Sequence, residues 1–174
     1  MRMDAPVMVM LLLGAAAAQT LLPPVPGTFL KFPLLVGVAS YYALSRPLVI
    51  ALLAACWAGI LTDGSGGVPT GTTPIVLGVL ALLVAAGRQV LPEASWGMAA
   101  ALGGLGAALL VPVQLLALVR HGYRGVGAWS LAGAVLLLAP TGALAAGLIW
   151  GLGRRLDLLA GNIVPRKEVE SRDG

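Results

Sequence analysis

Long apolar runs alternate with short breaks of proline, glycine or charged residues along almost the whole chain. A run of about 20 apolar residues is long enough to cross the roughly 30 Å hydrocarbon core of a bilayer as an α-helix. Because the runs follow one another with little polar sequence between them, the pattern predicts an all-α, polytopic membrane protein. The predicted spans are Ala5–Leu22, Phe29–Leu44, Pro47–Leu61, Thr72–Ala86, Trp96–Val119 and Val126–Gly153.

Six transmembrane helices are the preferred prediction, and five are the alternative. The second and third runs are short, so together they also fit a re-entrant hairpin or a strongly tilted pair. We expect residues 1–153 to form a single transmembrane domain and residues 154–174 to form a short, polar, cytoplasmic C-terminal tail.

The composition narrows the range of functions that the protein can have. Apolar residues make up 59% of the 174 positions and charged residues 10%, which leaves no stretch for a soluble domain. A single Cys and a single His exclude disulfide frameworks and common Cys/His metal clusters. No nucleophile with a base and no carboxylate pair stands out, so we expect no enzyme activity, no cofactor and no catalytic or metal site.

The N-terminus allows two interpretations. Arg2, an apolar run and the small residues Ala15–Ala18 resemble a secretory signal peptide with its cleavage site. However, the apolar stretch continues to Leu22, and Asp4 is unusual near the start of a signal peptide. We expect an uncleaved first helix, with cleavage as the alternative.

The basic residues predict the orientation. They occur mostly singly at span ends, so they do not indicate nucleic-acid binding. With six spans and the N-terminus inside, eight of the 11 basic residues lie on the inner face and three on the outer face. This distribution satisfies the positive-inside rule and predicts that both termini are cytoplasmic. The inner set is Arg2, Arg46, Arg88, Arg154, Arg155, Arg166, Lys167 and Arg172, and the outer set is Lys31, Arg120 and Arg124.

Most remaining features have a simple structural interpretation. We expect Cys56 to be a small buried residue, and we expect most of the aromatic residues near span ends to form interfacial belts. These aromatic residues are Tyr41, Tyr42, Trp57, Trp96, Trp129 and Trp150. The segment Arg120–Arg124 is read as an interfacial anchor, with contact to an acidic partner or lipid phosphate as the alternative. Small-residue faces, at Gly103–Ala108 and Gly147–Gly151, are expected to pack within the bundle; contact with another membrane protein is the alternative.

Asp63 is the most interesting acidic residue, because it follows an apolar run and precedes a glycine-rich loop. A carboxylate buried among membrane helices is costly and usually functional, for example in cation binding or proton relay. We favour the simpler interpretation, in which Asp63 lies at the water boundary and holds the turn through hydrogen bonds to nearby backbone amides.

Two adjacent segments resemble one family of bacterial membrane proteins. The first reads KFPLL at residues 31–35 and ends in YYALSRP at residues 41–47; the second reads GILTDGSGG at residues 59–67 and is followed by Gly71. A proline before an apolar run, a tyrosine, a turn with proline and then Gly-x-Leu-x-Asp with a small-residue loop resembles the rod shape-determining protein MreD.

This resemblance implies a non-catalytic scaffold of the cell-wall elongation complex in the bacterial inner membrane. Members of the family work with MreC, the actin-like MreB, the polymerase RodA and a class B penicillin-binding transpeptidase, in contact with membrane lipid. The residues expected to be structural or partner-binding are Pro33, Tyr41, Arg46, Pro47, Gly59, Asp63 and Gly71.

Two other functions remain open. The MreD family is similar in fold to the substrate-binding S components of energy-coupling factor vitamin transporters, which dock on a membrane and ATPase module through small-residue helix faces. Gly14–Ala18 fits such a face, so the S component is the alternative function. A small channel or proton-coupled transporter would need more intramembrane ionisable residues than Asp63 alone.

Overall fold

A computed structural model of the chain describes residues 4–23, 31–66, 71–87, 94–120 and 128–162. These residues form six α-helices and no strand, which confirms the all-α class. The helices are α1 (Asp4–Leu21), α2 (Leu34–Ser45), α3 (Leu48–Gly66), α4 (Thr72–Gly87), α5 (Trp96–Arg120) and α6 (Ala128–Leu159).

Consecutive helices run in opposite directions. Gln19 near the end of α1 accepts a hydrogen bond from the backbone N–H of Leu35 at the start of α2 (3.2 Å). This bond satisfies one of the amides that the first turn of a helix leaves without an internal partner. Only Arg46 and Pro47 separate α2 from α3, so these two helices also pack side by side in opposite directions. The start of α1 and the end of α6 therefore lie at the same end of the bundle.

The short helix α2 lies at the centre of the bundle. It contacts each of the other helices, and every residue from Leu34 to Ala43 is buried. Its 12 residues correspond to about 18 Å of helix, because an α-helix rises about 1.5 Å per residue. The longer helices surround this central element.

Small residues bring helix axes close together. A Cβ on Gly103 of α5 would lie 2.5 Å from the carbonyl oxygen of Gly142 of α6, and a Cβ on Gly37 would lie 3.0 Å from Cα of Ala146. Close backbone approach through small residues is a common means of helix association in lipid. The predicted packing of the Gly103–Ala108 face within the bundle is therefore confirmed.

The bundle has an apolar exterior. Leucine, valine and isoleucine side chains are exposed on every helix except the central α2. Three helices, α3, α5 and α6, are long and apolar enough to cross a membrane, whereas α1, α2 and α4 are shorter apolar helices. These features are those of a membrane protein with transmembrane helices.

Helix boundaries differ from the predicted spans at three places. Residues Lys31–Pro33 are not helical, so α2 begins at Leu34 rather than Phe29. Helix α3 continues past Leu61 to Gly66, and α6 continues past Gly153 to Leu159. In the last two cases the extension contains a polar residue, Asp63 or Asp157, that other helices bury. The buried face of the helix therefore continues through the extension.

Several aromatic residues and the cysteine lie elsewhere than predicted. Tyr41, Tyr42 and Trp150 are buried in the core instead of forming an interfacial belt, because they pack edge to face around Tyr41. Cys56 of α3 is exposed on the surface of the bundle, so the prediction of a buried cysteine is wrong. Of the predicted basic and aromatic anchor, Arg120 is exposed at the end of α5, and residues 121–124 lie outside the described residues.

Candidate functional site

Two clusters of polar groups, each centred on a buried carboxylate, lie at opposite ends of the bundle. We call them the Asp63 cluster (Asp63, Gly71, Thr73 and Gln114) and the Asp157 cluster (Tyr41, Arg46, Asp157 and Asn162). Arg46 and Asp63 are 17 residues apart along the α2–α3 turn and α3, which corresponds to roughly 25 Å at 1.5 Å per helical residue. Because each cluster contains a carboxylate surrounded by apolar helices, both are candidates for function.

In the Asp63 cluster, a carboxylate from α3 caps α4. Asp63 is 2% exposed, and its Oδ2 accepts hydrogen bonds from the backbone N–H of Gly71 (2.7 Å) and of Thr73 (3.3 Å). The bonded amides lie at the start of α4, where helical N–H groups lack internal partners and where negative charge is favourable. The predicted hydrogen bonds from nearby backbone amides to Asp63 are confirmed, and the carboxylate that accepts them is buried within the bundle.

Two further residues complete this end of the bundle. Gly71 has a φ angle of +108°, in the left-handed region that side chains disfavour, so a glycine allows the chain to turn its amide towards Asp63. The side chain of Gln114 of α5 donates a hydrogen bond to the hydroxyl of buried Thr73 (3.3 Å). The Asp63 cluster thus joins α3, α4 and α5.

Gly59 brings α3 against α4 one turn before Asp63. A Cβ on Gly59 would lie 2.4 Å from both Cα and N of Pro74, closer than any side-chain atom approaches backbone. The glycine is therefore required for the distance between these helices, and this distance places Asp63 within reach of the amides of α4.

The Asp157 cluster joins the end of α2 to the end of α6. Asp157 is fully buried; it accepts a hydrogen bond at Oδ2 from the hydroxyl of Tyr41, and its Oδ1 forms an ion pair with Nη2 of Arg46 (2.8 Å). The side chain of Asn162 donates a further hydrogen bond to Oδ1 (3.0 Å). A buried carboxylate is stable only with this kind of compensation, since taking a single charge out of water costs several kcal/mol.

The end of α6 places Asn162 beside Asp157. Gly161 has a φ angle of +69°, and the N–H of Asn162 donates to the carbonyl oxygen of Asp157 (2.9 Å). This is a Schellman-type helix end, which depends on a glycine in the left-handed region. The same carboxyl-terminal turn therefore supplies both the acid and one of its partners.

The aromatic ring of Tyr41 packs against two other aromatic rings and a glycine. Its centroid lies 5.5 Å from that of Trp150 and 5.3 Å from that of Tyr42, in edge-to-face geometry. A Cβ on Gly153 of α6 would lie 2.8 Å from the Tyr41 ring, so the glycine leaves room for the tyrosine. The hydroxyl is thereby held against Asp157.

The predicted site residues divide between the two ends. Tyr41 and Arg46 belong to the Asp157 cluster, and Gly59, Asp63 and Gly71 belong to the other end. Buried Pro33 immediately precedes α2, and exposed Pro47 immediately precedes α3, where its carbonyl oxygen accepts a hydrogen bond from Ala51.

Sequence reasoning missed Asp157, Asn162, Thr73, Gln114 and Gln19. For Asp157 a signal exists: Ala146, Trp150, Gly153 and Asp157 follow one another at spacings of four, three and four, and all are buried. The buried stripe of α6 thus continues through the polar sequence that resembled the start of a tail.

Comparison with known proteins identifies no relative: no family model, no curated protein and no solved structure matches the chain.

Proposed function

We propose that the chain is a non-catalytic scaffold of the MreD type in the bacterial cytoplasmic membrane. Its role is to bind an MreC-like protein and to link it to the peptidoglycan synthases of the elongation complex. The observation that carries this proposal is that the residues of the MreD-like motif form the framework of the bundle. Five of them, Tyr41, Arg46, Gly59, Asp63 and Gly71, form or position the two buried carboxylate clusters.

The internal bonding of the carboxylates supports a scaffold rather than a catalyst. Asp157 receives a hydroxyl, a guanidinium and an amide group from its own chain, and Asp63 binds two backbone amides. Groups used in this way fix helix positions. What the bundle then offers to other molecules is its apolar exterior, on which packing and interhelical hydrogen bonds determine partner choice in lipid.

In this proposal all six helices cross the bilayer. The short α2 need not match the thickness of the hydrocarbon core, because the other five helices enclose it and separate it from lipid. Non-helical backbone at membrane depth, such as Lys31–Pro33, is tolerated where protein covers it. The alternating helix directions and the excess of basic residues at one end favour cytoplasmic termini, with the Asp157 cluster at the cytoplasmic face.

The experiment that tests this function is mild detergent purification of the tagged chain from its native bacterium, followed by identification of the proteins that accompany it. The proposal predicts recovery of an MreC-like protein, RodA or a class B transpeptidase, with MreB as an indirect companion. ATPase subunits with a coupling membrane protein would overturn it in favour of vitamin uptake. A folded protein recovered without any of these would contradict both functions and favour a channel or transporter.

One observation favours the alternative S-component function. Gly14, Ala15 and Ala18 of α1 line an open groove instead of a closed helix contact. A small-residue face of this kind on the first helix is what docking on a transport module through α1 requires. In the purification above, replacement of Gly14 by Leu would release the ATPase module if this alternative were correct, but would leave a scaffold complex that uses another face unchanged.

A further inference from the structure

Two grooves flank the last part of α6. The first, between α1 and α6, has a volume of about 440 Å³ and is almost wholly apolar. We call it the α1–α6 groove; it is lined on α1 by Gly14, Ala15 and Ala18 and on α6 by Ile149, Leu152 and Leu156. The two helices make few contacts here, and the space in front of Gly14 is open.

The second groove lies on the other side of the same α6 face. It has a volume of about 350 Å³, and we call it the α5–α6 groove. It is lined by Trp96 of α5 and by residues of α6 that include Gly147, Gly151, Leu152 and, nearest the end of the helix, Arg155. Leu152 lines both grooves and forms the ridge between them.

The α1–α6 groove is shorter than the seam between two membrane-spanning helices. The α1–α6 groove follows α6 from Ile149 to Leu156 and α1 from Met10 to Ala18, which is about 10–12 Å at 1.5 Å per residue. One leaflet contributes roughly 15 Å, half of the hydrocarbon core of about 30 Å. A partner helix that crosses the membrane would follow a seam about twice as long, so the dimensions favour acyl chains.

The charge at the end of the grooves favours an anionic headgroup. Arg154 and Arg155 are exposed in the last turns of α6. The only acid of that helix, Asp157, is buried against Arg46 and Tyr41, so it does not neutralise the exposed arginines. Basic residues beside a cleft between membrane helices at the cytoplasmic side are typical of sites for phosphate-bearing lipid headgroups.

We propose that this face of α6 binds one anionic phospholipid whose headgroup lies at the cytoplasmic end of the helix. Its acyl chains occupy the α1–α6 and α5–α6 grooves on either side of Leu152, and its phosphate contacts the guanidinium of Arg155. The indole ring of Trp96, which is exposed, lies beside the second chain near the interface. The proposal depends on the membrane insertion proposed above, not on the identity of any protein partner.

Native mass spectrometry of the purified protein tests this site. The protein is equilibrated in detergent with phosphatidylglycerol or with phosphatidylcholine of identical acyl chains, and the bound lipid is counted. We expect one phosphatidylglycerol to be retained in preference to phosphatidylcholine. Arg155→Gln should lower the preference about fivefold, the contribution of one basic residue near an anionic surface. Arg154→Gln removes the same charge outside the grooves and should have a smaller effect.

Substitution of open glycines tests the acyl-chain sites. A Cβ at Gly14, Gly151 or Gly78 meets nothing within 4 Å, so a larger side chain can begin at each position without a clash at its first atom. Gly14→Leu and Gly151→Leu fill the two grooves and should reduce retention of both lipids, whereas Gly78→Leu, on α4, should not. Thermal unfolding in the same detergent verifies that each variant is folded.

Three results would overturn the proposal. Equal retention of the two lipids by the parent protein would indicate annular lipid only, and equal effects of Arg154→Gln and Arg155→Gln would indicate a general surface charge. A dimer that Gly14→Leu dissociates would place a second copy in the groove. Because the assay contains no other protein, each result is independent of the outcome of the co-purification.

Discussion

At the scale of single residues, two carboxylates fix the positions of the helices. Asp157 joins the end of α6 to the end of α2, and Asp63 joins the end of α3 to the start of α4. They stabilise the fold in different ways. Asp157 is paired with a cation, so removing it leaves a buried charge, whereas Asp63 binds neutral amides that become unsatisfied without it.

Asp157→Ala is expected to destabilise the protein by about 3–5 kcal/mol, because the Arg46 charge is then buried without its partner. Thermal or denaturant unfolding in detergent micelles measures the change. Arg154→Ala, at an exposed position of the same helix, should stay within about 0.5 kcal/mol of the parent. The double variant Arg46→Met/Asp157→Leu should regain most of the loss, since no buried charge remains. Equal stability of Asp157→Ala and the parent would contradict this account of the cluster.

Asp63→Ala should cost about 1.5–3 kcal/mol, because the amides of Gly71 and Thr73 lose a charged acceptor. Asp63→Asn keeps an acceptor oxygen and should cost less. We expect both variants to insert into the membrane. In the purification described above, less partner protein should accompany Asp63→Ala than accompanies the parent. An Asp63→Ala protein that is as stable as the parent and assembles normally would exclude a role for this residue.

The hydrogen bonding of Asp63 is predictable from the sequence, whereas the burial of Asp157 is not. Asp63 is eight residues from Gly71, within one turn-and-loop unit, so local reasoning finds its backbone partners. Asp157 is 116 residues from Tyr41, and it follows two arginines in sequence that looks like a soluble tail. Only the packing of α6 against α2 reveals that this acid is buried.

At the scale of helices, glycine positions determine the distance between α3 and α4. Gly59→Ala places a methyl group 2.4 Å from the backbone of Pro74, so the helices must separate, at a cost of about 1–3 kcal/mol. Gly78→Ala, on the same helix pair but facing open space, should be neutral or stabilising by up to about 1 kcal/mol, the difference in helix propensity.

Unfolding of both variants under identical conditions checks this prediction. A loss of stability in Gly78→Ala as large as that in Gly59→Ala would show that helix separation is not the cause. The contact between Asp63 and α4 depends on the same distance between the helices. Asp63→Ala should therefore lower the free energy of unfolding less in a Gly59→Ala background than in the parent protein. Losses that simply add would show that the two positions act independently.

Helix existence is predictable from the apolar runs, whereas helix ends depend on tertiary contacts. Breaks at Pro47 and before Thr72 follow from local sequence, and α3 and α4 begin at or beside the predicted positions. The ends of α3 and α6 do not follow from local sequence, since the polar residues there are stabilised by partners on other helices. The short length of α2 is likewise possible only because the neighbouring helices enclose it.

At the scale of the whole molecule, we propose a bundle of six membrane-crossing helices that is joined at each face by a buried carboxylate. Its alternating directions place the ends of α1 and α3 at one face, and the α2–α3 turn and the end of α6 at the other. The principal competing architecture, a re-entrant α2–α3 hairpin, differs at the turn, which would then lie within the membrane.

Cysteine accessibility distinguishes these architectures most directly. In a Cys56→Ser background, single cysteines replace four exposed residues, Leu21, Pro47, Gly64 and Leu159, and spheroplasts are treated with a membrane-impermeant maleimide before or after lysis. The six-span bundle predicts labelling of the Leu21 and Gly64 positions in intact spheroplasts, and labelling of the Pro47 and Leu159 positions only after lysis. Labelling of the Pro47 position from outside, or its protection even after lysis, would contradict the six-span bundle.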